Sequence, residues 1–165
     1  MLESNHLYVP GEQMSVAFET IKQFFSEDEW FFVETEDHGV LVLRMNHWGE
    51  NGRFSCQAEY NQAQDIFYFY SYFPINVPVE KRLKMAEFIT LVNYGMRIGN
   101  FEMDFEDGEV RFRTSIDFEG QGLSYALVSN HVYPNVWMMD RYLPGLFAVV
   151  YGDGCASDIF ESIEE

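Results

Sequence analysis

A chain of 165 residues has the length of one ordinary domain, and its 47% hydrophobic and 18% aromatic residues supply a single core and argue against disorder. The 27 acidic residues against 10 basic ones give a formal net charge of −17, a field that repels phosphate backbones and anionic lipid headgroups and so argues against nucleic-acid and membrane-surface binding. Lys81, Arg82 and Lys84 form the one small basic cluster. Met1 to His6 lack the basic and apolar regions of a signal peptide, and no apolar run approaches the roughly 18 residues of a membrane span, so a cytoplasmic protein is expected. Cys56 and Cys155 lie far apart without CxxC spacing, which suggests two reduced thiols and neither a disulfide framework nor a zinc site.

In residues 12–25, Met14, Ala17, Phe18, Ile21, Phe24 and Phe25 fall at the spacing of one helical stripe. The acidic run Glu27, Asp28, Glu29 ends it, and strand-like alternation from Trp30 to about Val77 reads as four strands. A three-residue loop of Asp37, His38 and Gly39 would set Phe31, Val33 and Thr35 beside Leu41, Leu43 and Met45 on the core face. Asn51-Gly52 suits a two-residue type I′ turn, which needs positive φ at both central positions. Counting outward pairs Glu50 with Arg53, His47 with Cys56, Met45 with Ala58, Arg44 with Glu59 and Leu43 with Tyr60. The fourth strand, residues 65–75, is apolar on both faces, with Phe67, Phe69 and Phe73 on one and Ile66, Tyr68, Tyr70 and Tyr72 on the other.

Residues 78–94 read as a helix apolar around much of its circumference and the most buried of the chain. A second hairpin at Asp107-Gly108 would pair Phe105 with Val110, Asp104 with Arg111, Met103 with Phe112 and Glu102 with Arg113, the charged couples forming structural cross-strand ion pairs. Gly120-Gln121-Gly122 reads as a flexible entry to a helix beginning near Ser124. Leu123 to Tyr151 is helical in composition, with Pro134 and Pro144 expected to divide it into two or three pieces. Residues 153–165 read as a loose acidic tail with at most one short helix, outside a single domain of residues 1–152. The order α-β-β-β-β-α-β-β-α defines an α+β fold: two layers, a mostly antiparallel sheet packed on helices.

No constellation points to catalysis. Glu102, Asp104 and Glu106 share a strand face, but the register gives two of them an arginine. His47 and Cys56 would face one another, yet nothing is placed to orient the imidazole. His6, His38 and His131 lack metal-binding spacing, and there is no GxGxxG, GxxxxGK[ST] or GxSxG motif. No catalytic residue, metal or cofactor is therefore expected. The informative feature is the face opposite the core, to which parity assigns Trp30, Phe32, Val40, Val42 and Trp48 with Tyr68, Tyr70 and Tyr72, interspersed with Arg44, Glu34, Glu36 and Glu59. Aromatic residues rimmed by charge suit a partner surface, though the C-terminal segment or a second copy would also cover such a face. Trp30, Phe32, Val42, Trp48, Tyr68, Tyr70 and Tyr72 are accordingly the candidate partner-binding residues.

Asn93, Gly99-Asn100-Phe101-Glu102-Met103-Asp104, the hairpin Asp107-Gly108-Glu109-Val110-Arg111-Phe112-Arg113, and Asp140-Arg141-Tyr142 with Pro144 and Leu146 together resemble the bacterial YbjN-domain family, whose members are labelled sensory transduction regulators. The likeness is clearest over residues 78–152. It implies a fold like that of type III secretion chaperones, whose relatives often dimerise and hold partner polypeptides against a sheet or helix surface, and it brings no catalytic residue with it. The leading expectation is a non-catalytic protein-interaction module, a regulator of bacterial signalling or a chaperone-like binder of a polypeptide, alone or as a homodimer. The alternative is a small-molecule sensor with an apolar pocket between sheet and helices, walled by Met14, Met45, Met85 and Met103.

Overall fold

A computed structural model describes residues 10–37 and 40–165; the readings that fall on His6 and His38 lie outside the described residues. The helix α1 (Pro10–Glu27) is followed by the strands β1 (Phe32–Asp37), β2 (Val40–Trp48), β3 (Arg53–Asn61) and β4 (Ile66–Tyr72). After a 3-10 turn at Val79–Lys81 come α2 (Arg82–Tyr94), β5 (Asn100–Met103), β6 (Val110–Asp117), α3 (Tyr125–Tyr151) and α4 (Ala156–Glu164). The fold is α+β, with six strands in the order β1-β2-β3-β4-β6-β5, every neighbouring pair antiparallel. α1 and α3 bury their apolar stripes against one face of the sheet, where Phe24 and Phe25 of α1 and Val132, Val136 and Met139 of α3 are fully covered.

Both predicted hairpins form, each with its register shifted by two residues. Trp48 pairs with Arg53, His47 with Phe54, Met45 with Cys56 and Leu43 with Ala58; Met103 pairs with Val110, Phe101 with Phe112 and Glu102 with Arg111. A shift of two leaves every side chain on its expected face. Its cause is capture of each turn by a distant polar side chain. The Asp140 carboxylate of α3 accepts from the backbone N–H of Glu50 and of Asn51, each at 3.0 Å, and holds a four-residue loop closed by Gly49 N–H to Gly52 C=O at 2.8 Å. Asn51 does not enter the positive-φ region. In the second loop Arg82 donates to the carbonyls of Phe105 at 2.8 Å and Val77 at 3.1 Å, while Val77 N–H reaches the Gly108 carbonyl at 2.8 Å. Gly108 has φ +84° and would carry a Cβ only 2.2 Å from the Val77 carbonyl.

The β1–β2 connection is a shorter case with a larger consequence. Asp37 pairs with Val40 and Phe32 with Met45, so two residues rather than three intervene and β1 turns over. Phe32 joins Leu41, Leu43 and Met45 on the core side, whereas Phe31 and Val33 are left 93% and 67% exposed.

α3 is one helix of 27 residues containing both prolines, not two or three pieces. Each proline withholds a backbone donor from the preceding turn. The Asp140 carbonyl, four residues before Pro144, accepts instead from Asn51 Nδ2 at 3.1 Å. Ser124 caps the helix, accepting from Leu127 N–H at 3.2 Å. Its run of buried residues from Val128 to Val150 makes α3, not α2, the most buried helix; α2 buries Met85, Phe88, Ile89 and Val92 but leaves Leu83 exposed.

The C-terminal segment, expected to be loose, is the docked helix α4. Ala156 and Ile159 are buried. Tyr142 donates to Glu164 at 2.5 Å, and Lys84 Nζ reaches the Gly154 carbonyl at 2.7 Å. Gly145 lets α2 and α4 approach α3, since a Cβ there would sit 2.3 Å from Ile163 Cδ1 and 2.6 Å from Phe88 Cζ.

Candidate binding surface on the open sheet face

The antiparallel register fixes what the face away from the helices carries. From β2 it takes Val42, Arg44, Asn46 and Trp48, from β3 Arg53, Gln57 and Glu59, from β4 Tyr68, Tyr70 and Tyr72, from β6 Arg111 and Arg113, and from β5 Glu102. None of the helices described above packs on it. The long helix α3 packs on the opposite face and α4 packs on α2 and α3, so neither covers this one.

Its centre is a ladder of three tyrosines. Tyr68 and Tyr70 stack with ring centroids 6.0 Å apart, and Tyr70 and Tyr72 lie 6.2 Å apart. The Arg111 guanidinium lies 4.5 Å above the Tyr70 ring, and Glu102 bridges two arginines, meeting Arg111 at 2.9 Å and Arg113 at 2.8 Å. Packed among these neighbours, the Tyr70 hydroxyl is pushed up to about 12, by burial first and then by Glu59. The Tyr70 ring is itself buried beneath Arg111, so the face presents the half-buried Tyr68 and Tyr72 with the arginines, held on a rigid base with little rotamer entropy left to lose on binding. At the β2 end Trp48 is 67% exposed, with Arg53 over its ring at 4.9 Å. Arg44 donates to Gln57 and Thr35, each at 3.2 Å.

Five of the seven candidate residues, Val42, Trp48, Tyr68, Tyr70 and Tyr72, share this face. Trp30 and Phe32 do not. The shorter β1–β2 connection turns them to the helix side, where Phe25 of α1 packs against both at 5.6 and 6.3 Å. Phe31 and Val33, which the expected loop length had assigned to the core, take their places outside.

The ion-pair expectation also changes in part. Glu102 meets Arg113 as a diagonal pair and Arg111 directly across. Asp104 meets no arginine; it caps the widened loop, accepting from Glu106 N–H at 2.7 Å. His47 and Cys56 do not face one another. His47 stacks on Trp30 at 5.1 Å, and burial lowers its pKa. The Cys56 thiol lies 3.4 Å from the Ser71 hydroxyl and is pushed up to about 12 by burial. Iodoacetamide is therefore expected to alkylate the exposed Cys155 in the native protein and Cys56 only after urea unfolding, as read by peptide mass mapping. Equal labelling of both thiols under native conditions would refute the buried assignment.

Three of the four methionines expected to wall a pocket can be placed. Met45 and Met85 are buried in the packed core, Met103 is half-buried on the β5 edge strand, and the Met14 side chain lies outside the described residues. Among the described residues no group of three or more His, Cys, Asp or Glu is placed to hold a metal, and no helix is long and apolar enough to cross a membrane.

The architecture defines a two-layer α+β domain with a one-sided antiparallel sheet. The family model for YbjN, described as "Putative bacterial sensory transduction regulator", matches residues 17–148, and the chain belongs to the YbjN family. Its motif residues act structurally. Asn93 clamps Phe101, accepting from its N–H at 2.7 Å and donating to its C=O at 3.0 Å. Gly99, at φ +77°, admits the Phe112 ring within 2.6 Å of where a Cβ would stand. No curated protein matches the chain. Among solved structures, a chain in "Structure of the HopA1-SchA Chaperone-Effector Complex" is similar at 18% identity and a TM-score of 0.49, over 80% of this chain and 95% of that one.

Proposed function

We propose that this protein is a non-catalytic interaction module of bacterial signalling that holds a polypeptide partner on the open face of its sheet, within the cytoplasm. The observation that carries the reading is the rigid tyrosine and arginine ladder on a face no helix covers. Tyr, Trp and Arg are the side chains that most often anchor protein interfaces, and here they are pre-positioned by stacking and by Glu102. Four of the chain's ten basic residues, Arg44, Arg53, Arg111 and Arg113, project on this face, so it is locally less acidic than the molecule as a whole. The description of the YbjN family agrees with a regulatory role.

A photo-crosslinking amino acid placed in cells at Trp48, at Tyr68 or at Tyr94, which is 97% exposed on α2, tests the reading. Trp48 and Tyr68 are expected to yield one common protein adduct and Tyr94 none. An adduct from Tyr94 alone, or none from either sheet position, would overturn it. An adduct of twice the chain mass would make the face a homodimer interface instead.

A further inference from the structure

All three tryptophans of the chain, Trp30, Trp48 and Trp137, converge at one corner although they come from different elements. Trp30 stacks on His47 at 5.1 Å, and Tyr133 stacks on Trp137 at 5.7 Å. Trp30, Phe31, Trp48 and Tyr133 line an open cleft of about 460 Å³ together with Asp28 and Glu29. The Asp28 carboxylate sits beneath the cleft, fixed by the Tyr125 and Tyr133 hydroxyls, which both donate to it. The Glu29 carboxylate is exposed and engages no hydrogen bond or ion pair among the described residues.

The backbone places this carboxylate deliberately. α1 ends in a Schellman motif: Trp30 N–H reaches the Phe25 carbonyl at 2.8 Å, Glu29 N–H reaches that of Ser26 at 3.3 Å, and Trp30 packs on Phe25. The left-handed position of this motif is usually glycine. Here it is Glu29, at φ +59°, a strained conformation for a residue with a Cβ. The negative end of the α1 dipole points to the same corner, and burial keeps His47 toward its neutral form, so the imidazole adds little positive charge.

We propose that this corner is a binding site for an alkylammonium cation, held against the aromatic walls of Trp30, Trp48 and Phe31 with Glu29 and Asp28 as counter-charges. Ring quadrupoles and carboxylates both attract such a group, and the net charge of −17 steers cations toward the molecule. Arg53 lies over one face of the Trp48 ring at 4.9 Å, so that ring already engages a cation on one side and a ligand would take the other. The site shares Trp48 with the sheet face but none of the three ladder tyrosines, and it does not depend on the ladder's having a partner.

Intrinsic tryptophan fluorescence reports on it directly. Choline chloride, titrated at constant ionic strength against the neutral isostere 3,3-dimethylbutanol, is expected to give a saturable change with a Kd on the order of millimolar, the isostere binding roughly tenfold more weakly. Trp48→Ala should weaken choline roughly tenfold and Glu29→Gln severalfold, while Tyr68→Ala leaves the titration unchanged, which keeps the outcome distinct from that of the sheet face. Glu29→Gly is the decisive variant, expected to raise the melting temperature by about 2 to 4 °C and yet weaken choline as Glu29→Gln does. Lysine amide binding as tightly as choline would assign the cleft to a side chain of a polypeptide; choline alone would assign it to a free quaternary ammonium. Equal response to the neutral isostere, no saturation by on the order of 50 mM, or wild-type affinity in both Glu29 variants would overturn the proposal.

Discussion

Asn135→Leu is expected to lower the free energy of unfolding by about 3 kcal/mol, read from urea melts as a lower midpoint at unchanged slope. Asn135 is fully buried on α3 and ties that helix to two strands. It accepts from the Ser71 hydroxyl at 2.6 Å and donates to the Phe69 carbonyl at 2.8 Å, the Phe112 carbonyl at 3.1 Å and the Thr114 hydroxyl at 3.1 Å. Leucine fills a similar volume, so the cost comes from polar groups of β4 and β6 stranded without water, each worth about 1 to 3 kcal/mol. The Thr114 hydroxyl also donates to the His131 carbonyl and softens the loss. Removing donor and acceptor together discriminates the cause: Ser71→Ala added to Asn135→Leu should cost less than the two single changes summed. A loss below about 1 kcal/mol for Asn135→Leu would mean that packing alone seats α3.

Element order and face assignment were legible wherever local periodicity alone determines them. Alternation along β2, β3 and β4 put Leu43, Ala58 and Phe69 inside, because a half-buried strand has only two faces to choose between. What sequence spacing could not resolve was the length of each turn, since that is decided by groups far away along the chain. Asp140 is 89 residues from Asn51 and Arg82 is 23 from Phe105, yet each overrides the local Asn-Gly or Asp-Gly preference by binding the turn's backbone. An error of two residues was harmless to the faces; an error of one at the β1–β2 connection was not. Pro144 misled for the same reason, the carbonyl it leaves without a donor being met by Asn51 from another element.

The candidate surface divides along the same line. Tyr68, Tyr70 and Tyr72 follow from period-two alternation within one strand, whereas Trp30 and Phe32 depended on a loop length and moved to the other side with it. Glu102 keeps an arginine across the strand, as the spacing indicated, but Asp104 left the ladder once the turn widened. The corner of three tryptophans had no local signal at all, because it is assembled from the end of α1, one hairpin and the middle of α3. The nearest sequence cue was Glu27, Asp28 and Glu29 at a helix end directly before Trp30, a place where glycine would ordinarily stand.

Asp140→Ala is expected to cost about 2 kcal/mol, and its signature is coupling to Gly49. The carboxylate holds the backbone of Glu50 and Asn51 and accepts from Asn51 Nδ2 at 3.4 Å, charge-assisted bonds that no other group replaces. It is packed so closely that a Cβ on Gly49 would stand 2.0 Å from Asp140 Oδ1. Gly49→Ala must therefore push the turn off the carboxylate and should cost about 1 to 3 kcal/mol in the wild-type background. With the carboxylate already gone, the added methyl meets open space and the bonds it would have broken no longer exist, so the same substitution should cost under about 0.5 kcal/mol in Asp140→Ala. Urea melts of the four proteins measure the difference. A coupling above about 1 kcal/mol would establish that Asp140 widens the β2–β3 turn through direct contact; additivity within about 0.5 kcal/mol would mean the turn holds its four-residue form by itself. The Asp140 carbonyl supplies an internal control, because Asn51 Nδ2 reaches it at 3.1 Å whatever the side chain: Asn51→Ala should remain destabilising in the Asp140→Ala protein, by about 1 kcal/mol.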